Sequence, residues 1–287
     1  MSRRPALTLA LLIATIVSTL VATVSPDPGE AARRNRRHIK TEVVRGAAVP
    51  DGKYPFVAAI GFADASGSVK RQFCGGSLIA PSYVLTAAHC VVGTKVESIA
   101  VVGQAAFGSG QGETRTLAAI MIHPSYNKRN LNSDVAVLKL SAPILSIAPA
   151  AVVGVHDGSF EWGGTGLTVV GWGNTVRSTL HRHKARFPER LKKGAISVVS
   201  DANCASKWRK VGFSRKKFAS TLLVCTTARR FGVNDSGSPV FSTSGGSFVQ
   251  VSLVSGGFVG TKKKVSDIGP QLSAPSIAEF IASSIAA

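Results

Sequence analysis

Acidic side chains are scarce in this chain, with only 15 Asp and Glu against 34 Lys and Arg in 287 residues, a formal net charge of +19. That imbalance says nothing about fold, but it draws the protein toward anionic surfaces, whether nucleic acid, acidic polymer or membrane. Aromatic residues are also sparse, at 7%. Too few of them interleave with the basic runs to form a platform on which bases could stack, so a dedicated nucleic-acid site is not expected. Charged residues of both signs make up only 17% of the chain and hydrophobic residues 45%, a balance that excludes disorder for most of the length. No phosphate-binding glycine loop and no helical zinc motif occurs. Cysteine is limited to four residues, none paired at the short spacing of zinc ligands, and His181 and His183 lie in a basic run where they read as solvated. No metal site is expected.

Long helical periodicity is absent until the end of the chain. Instead, short β-type segments alternate with turn residues at 56–62, 78–79, 84–86, 99–102, 116–122, 135–140, 167–170, 196–199, 222–225 and 248–254, an all-β signature. Near the C-terminus Ile277, Phe280, Ile281 and Ile285 recur at helical spacing, with Ser273 as a candidate cap and Pro275 in the first turn. The N-terminus carries Arg3 and Arg4, an apolar run from Ala6 to Val24, then Pro26 and Pro28, which is a secretory signal pattern. The run approaches membrane-spanning length, so an uncleaved anchor is the alternative for residues 1–31. Residues 32–42 hold Arg33, Arg34, Arg36, Arg37, His38 and Lys40 with hardly any apolar side chain, and read as a basic propeptide. Four cysteines in an exported chain are expected to be bridged, and their number alone allows three pairings.

The residues that carry chemistry are Ser236, within Asn234-Asp235-Ser236-Gly237-Ser238-Pro239, His89 in Thr86-Ala87-Ala88-His89-Cys90, and Asp134 in Asn132-Ser133-Asp134-Val135. A serine hydroxyl is a weak nucleophile. It needs a base within hydrogen-bond reach, and the base needs a buried anion to fix its tautomer. The setting of Ser236 is not the G-x-S-x-G elbow, and the order His, Asp, Ser differs from both the α/β-hydrolase and the subtilisin orders. With these motifs the chain resembles the trypsin and chymotrypsin family of serine endopeptidases, whose signatures are TAAHC and GDSGGP. Phe73-Cys74-Gly75-Gly76-Ser77, His123-Pro124-Ser125-Tyr126, Gly171-Trp172-Gly173-Asn174 and Val254-Ser255-Gly256-Gly257 add to the match, so the resemblance runs from Val43 to the C-terminus.

The resemblance implies two six-stranded antiparallel β-barrels with the active site in the cleft between them and a C-terminal helix, all within residues 43–287. It implies His89, Asp134 and Ser236 as the catalytic triad, and the N–H groups of Asn234 and Ser236 as the oxyanion hole. Cys74 would pair with Cys90 and Cys204 with Cys225, each bridge closing a loop of about 15 to 20 residues and contributing on the order of 3 kcal/mol. Val43-Val44-Arg45-Gly46 resembles the family's mature start, so cleavage after Glu42 would free the Val43 amino group to pair with Asp235. The chemistry needs no cofactor, and the enzyme is expected to be a secreted, monomeric endopeptidase acting on proteins or peptides.

Several positions depart from the family pattern. Asn234 replaces a glycine, but asparagine tolerates positive φ, so the oxyanion hole is expected to survive. Ser238 replaces another glycine, Gly256 a tryptophan and Gly232 a cysteine, so a looser pocket is expected. The specificity pocket would include Arg230, Gly257 and Gly269. No acidic residue lies between Cys225 and Asp235, which disfavours selection of Lys or Arg. A basic floor at Arg230 would favour an acidic residue such as Glu42, hence self-processing. The rival reading is a catalytically silent homologue that binds anionic surfaces through Arg182, Lys184, Arg186, Arg190, Lys192, Lys193, Lys207, Arg209, Lys210, Arg215, Lys216, Lys217 and the run 262–264.

Overall fold

The computed structural model describes residues 46–63, 69–103, 112–175, 187–209, 221–227, 232, 234–243, 246–256 and 267–286. All of these belong to the unit Lys40–Ala287. After the short strand β1 (Ala47–Ala48), six strands follow: β2 (Val57–Ala63), β3 (Val69–Ala80), β4 (Tyr83–Thr86), β5 (Ile99–Gly103), β6 (Glu113–Ile122) and β7 (Ala136–Leu140). They close into a barrel in the order β2-β3-β4-β7-β6-β5, antiparallel at every junction. β4 is buried along its whole length. Part of its cover is the strap after β7, where Ile144 N–H donates to Pro81 and Ala150 N–H to Leu78, at 2.8 and 2.9 Å. Ile144, Ile147 and Ala150 are thereby buried in the core.

The second half is built differently. β8 (Ala151–Val152), β9 (Gly166–Gly171), β10 (Lys192–Ser197), β12 (Pro239–Ser242) and β13 (Val249–Leu253) join β1 in a six-stranded sheet ordered β1-β10-β9-β12-β13-β8. Its one parallel pair is β13 with β8, an edge strand outside the antiparallel ring of this half. β11 (Leu223–Thr226) and β14 (Asp267–Pro270) form a separate antiparallel ribbon. Single bridges tie that ribbon to the sheet at Val198 with Thr226 and at Gly256 with Ile268. The ring β9-β10-β11-β14-β13-β12 is thus six-stranded, but two of its junctions are one bridge wide. The two halves share one core, in which Tyr54 and Phe56 ahead of β2 meet Phe241 and Phe248 of the second half, with T-shaped pairs at centroid distances of 5.2 to 5.4 Å. A buried Ser77 hydroxyl also donates across to Gln250 Oε1 at 2.6 Å.

Three α-helices lie among the described residues. α1 (Ala88–Val91) is a single turn after β4. α2 (Asp201–Arg209) is too polar to show a periodic stripe, and only Cys204 and Trp208 are buried on it. Those two, four residues apart on one face, pack with Leu223, Cys225 and Ile268 in a small second cluster. The C-terminal helix α3 (Pro275–Ala286) buries Ile277 and Ile281 as its sequence periodicity predicts. Among the described residues no helix N–H donates to Ser273, whose hydroxyl accepts from Gln271 Nε2 and donates to Glu161. The helix is pinned by buried His123. The ring accepts from Ser125 N–H at Nδ1 (3.1 Å), so its proton sits on Nε2, which donates to Ser276 O at 3.1 Å.

Candidate active site

His89 is carried by α1, whose other residues Ala88, Cys90 and Val91 are all buried. The helix is bound to β3 by the Cys74–Cys90 disulfide, with Cα atoms 6.2 Å apart. The exposed position is His89 itself, with 29% of its side chain accessible. Asp134 ends the loop before β7 and is 0% exposed. Two residues of that loop, Leu131 and Ser133, take left-handed φ of 60° and 52°, a costly conformation for a leucine.

The Asp134 carboxylate reaches His89 twice, accepting its main-chain N–H at Oδ1 (2.8 Å) and its Nδ1 at Oδ2 (2.7 Å). The second contact puts the ring proton on Nδ1 and leaves the lone pair of a neutral imidazole on Nε2. The Ser255 hydroxyl also donates to Asp134 Oδ2. That donor was not foreseen in the sequence. Its only available signal was its place in Val254-Ser255-Gly256-Gly257, which matched the family as a string without a stated role for the hydroxyl. The Tyr126 hydroxyl is pushed up to about 12, first by burial and then by the charge of Asp134.

Ser236 sits in a tight turn between the ribbon and β12. Asp235 N–H donates to Gly232 O and Ser238 N–H to Asp235 O, at 3.1 and 2.9 Å. Asn234 and Gly237 take φ of +76° and +82°. The turn is fastened to the first barrel, since Gly75 N–H of β3 donates to Ser236 O at 2.7 Å. A Cβ at Gly237 would lie 2.3 Å from both Gly75 O and Thr86 Oγ1 and 3.2 Å from Ala87 N, so only glycine fits. Ser236 therefore lies against the segment that leads into His89. Among the described residues, no hydrogen bond joins its hydroxyl to the ring, and the N–H groups of Asn234 and Ser236 donate to no acceptor.

Asp235 points away from this surface and is 0% exposed. Its carboxylate accepts Gly173 N–H and Gly232 N–H, each at 2.7 Å. No cation faces it among the described residues. Burial raises its pKa to about 7, and the two N–H groups offset only part of that shift. Gly173 is required by close approach, because a Cβ there would lie 2.2 Å from Asp235 Cγ.

Gly256 is approached closely from the first barrel. Leu131 crosses from the first barrel, and its Cδ1 lies 2.5 Å from where a Cβ on Gly256 would project. Gly269 lies buried in β14, its α-carbon pressed on Leu253 and Ser252 of β13. The second disulfide joins Cys204 of α2 to Cys225 of β11. The sulfur atoms of Cys74 and Cys90 and a His89 ring nitrogen cluster within 4.8 Å. The two sulfurs are bonded to each other, so they offer no thiolate to a metal. Val43, Arg230 and Gly257 lie outside the described residues, as do the leader and propeptide, His181, His183, Arg182, Lys184, Arg186, Lys210, Arg215, Lys216, Lys217 and the run 262–264.

Comparison with known proteins agrees with this architecture. A protein-family model described as Trypsin matches residues 43–274. A trypsin of Saccharopolyspora erythraea is 31% identical over 192 residues, covering 65% of this chain and 76% of that protein. Serine protease 28 of Mus musculus is 28% identical over 75% of this chain and 80% of its own length. Among solved structures, the VesB protease of Vibrio cholerae superposes with a TM-score of 0.66 at 25% identity, over 85% of this chain and 68% of that one.

Proposed function

Since the chain belongs to the trypsin family and is a serine-type endopeptidase that hydrolyses proteins or peptides, we propose that Ser236, His89 and Asp134 are its catalytic triad. Ser236 Oγ attacks the scissile carbonyl carbon while His89 Nε2 takes the hydroxyl proton. The carbonyl oxygen becomes an oxyanion, held by the N–H groups of Asn234 and Ser236. Collapse of this intermediate breaks the C–N bond, and His89 returns the proton to the departing amine. A water then attacks the acyl-enzyme by the same route, releasing the acid and restoring Ser236. The observation that carries this reading is the 2.7 Å contact between His89 Nδ1 and Asp134 Oδ2, which leaves Nε2 to act as base on the accessible side of α1. The unengaged N–H groups of Asn234 and Ser236 support the rest.

The protein is made as an exported zymogen, with residues 1–31 as leader, 32–42 as basic propeptide and 43–287 as protease domain. Cleavage after Glu42 frees the Val43 amino group, which pairs with Asp235. Support for this switch comes from Asp235, a fully buried carboxylate that, among the described residues, is met only by main-chain N–H groups. Leaving such an anion without a cation is costly, so a new ammonium group binds there with a strong driving force. Selection of Lys or Arg is disfavoured by the lack of acidic residues between Cys225 and Asp235.

Reaction of the processed protein with a serine-directed fluorophosphonate tests the triad. Labelling is expected in the wild type and lost in both Ser236→Ala and His89→Ala. A processed wild type that takes up no label would instead be the silent, anion-binding homologue. N-terminal sequencing of the labelled species should read Val-Val-Arg-Gly.

A further inference from the structure

We infer that Gln72 is a positioning residue for the oxyanion donors, holding the Asn234 turn to β3 through a reciprocal pair of amide contacts. Asn234 Nδ2 donates to the main-chain carbonyl of Gln72 at 3.0 Å. In return Gln72 Nε2 approaches the main-chain carbonyl of Asn234 at 3.5 Å. Each side chain thus engages the other's backbone. The peptide so held is the one between Asn234 and Asp235, next to the two N–H groups that face the substrate in the proposed reaction. The inference rests on that reading of the site.

Stability alone is a poor reason for this arrangement. Gln72 is 4% exposed, and its Oε1 is buried with no hydrogen-bond partner among the described residues. An amide satisfied at one end only is worse for folding than an apolar side chain of the same shape. Asn234 is likewise an unfavourable choice for φ +76° when compared with glycine, which adopts that conformation freely. The amide does give the turn an anchor that glycine cannot supply. Asn234 is tied to a strand of the closed barrel by a contact that a glycine there could not make. The same turn is fastened to β3 a second time at Gly75 N–H and Ser236 O, 2.7 Å apart, so both oxyanion donors take their position from one strand.

The test is Gln72→Met, an apolar near-isostere that removes the return contact and the unpaired oxygen together. The expected result is a split: kcat falls about 10- to 100-fold, as for a misplaced donor, KM is unchanged, and Tm stays level or rises. Asn234→Gly, which removes the other contact but accepts the φ, should lower kcat with KM unchanged. Combining the two should cost less than the product of the separate losses, because the turn is already free. A crystal structure of Gln72→Met should show the 234–235 peptide turned from its wild-type orientation. An unmoved peptide, an unchanged kcat, or kcat and Tm falling together would each overturn the inference. If the wild type fails to react with fluorophosphonate while the peptide turns in the variant, the catalytic reading fails and the anchoring role stands.

Discussion

Asp134 and Asp235 are both carboxylates at 0% exposure, yet their surroundings have little in common. Asp134 is met by side chains from both halves of the molecule, the His89 ring from the first barrel and the Ser255 hydroxyl from beyond β13, and by one main-chain N–H. Among the described residues, Asp235 is met by two main-chain N–H groups of glycines and by no side chain. The first site is complete in the folded chain. The second holds an anion whose desolvation is only partly offset, and burial lifts it to about 7. Under the proposed activation, a carboxylate kept in that condition is the one that the freed Val43 amino group would meet.

The largest expected effect comes from removing the charge at the complete site. Asp134→Asn keeps the shape and can still accept one hydrogen bond, but its amide donates toward Nδ1 and selects the wrong ring tautomer. In the processed enzyme kcat should fall about 10⁴-fold with the fold intact. Turnover of a peptide ester and thermal unfolding measure the two together. A loss below about tenfold would mean that Asp134 does not orient the base.

At the incomplete site the readout is stability against pH in the uncleaved chain. The folded pKa of Asp235, about 7, lies above the ordinary 3.8, so the folded state binds the proton more tightly than the unfolded one. The stabilisation from that proton is complete below pH 4 and is lost as pH rises to 7, on the order of 4 kcal/mol in all. Urea unfolding of the precursor should therefore show wild type losing ground to Asp235→Asn over this window. Cleavage at Val43 should reverse the slope, because an ammonium partner favours the charged carboxylate. A wild-type minus variant difference that is flat from pH 4 to 8 would break the contrast between the two sites.

Much of this was legible in the sequence because side-chain alternation and motif strings are local. Strands β2, β4, β5, β6, β7, β9 and β13 and helix α3 overlap the segments read from alternation and spacing. Where the reading failed, the cause lay across the fold. Only 78–79 of β3 read as strand, yet β3 runs from Val69 to Ala80 through Gly75 and Gly76, and Gly75 N–H serves the distant Ser236 turn. β12 and β14, which contain Pro239 and Pro270, were not among the segments read as strands, and both are fully buried. α2 has too few apolar residues to advertise itself and is held by Cys204 and Trp208 against β11. At the candidate site, Ser255, Gln72 and Leu131 escaped notice because each contacts a residue more than a hundred positions away. Asn234 was legible, since a residue replacing a positive-φ glycine is conspicuous in the string, and its φ is indeed +76°.

The smallest expected effect concerns a serine near each carboxylate. Ser255 gives its hydroxyl to Asp134, whereas the Ser238 hydroxyl, three residues from Asp235, is buried without a partner among the described residues. A Cβ on Gly171 would lie 2.2 Å from Asp235 Oδ1 and 3.0 Å from Ser238 Oγ, so the two groups are neighbours that do not bond. Alanine at the two positions should therefore act with opposite signs. Ser255→Ala removes a charge-assisted bond and should destabilise by about 1 to 3 kcal/mol. Ser238→Ala removes only an unsatisfied hydroxyl and should stabilise by about 1 kcal/mol. Chemical denaturation of both variants at a fixed pH decides the matter. If Ser238→Ala were the more damaging change, its hydroxyl would have to serve Asp235 in solution, and the two carboxylate sites would be more alike than their contacts imply.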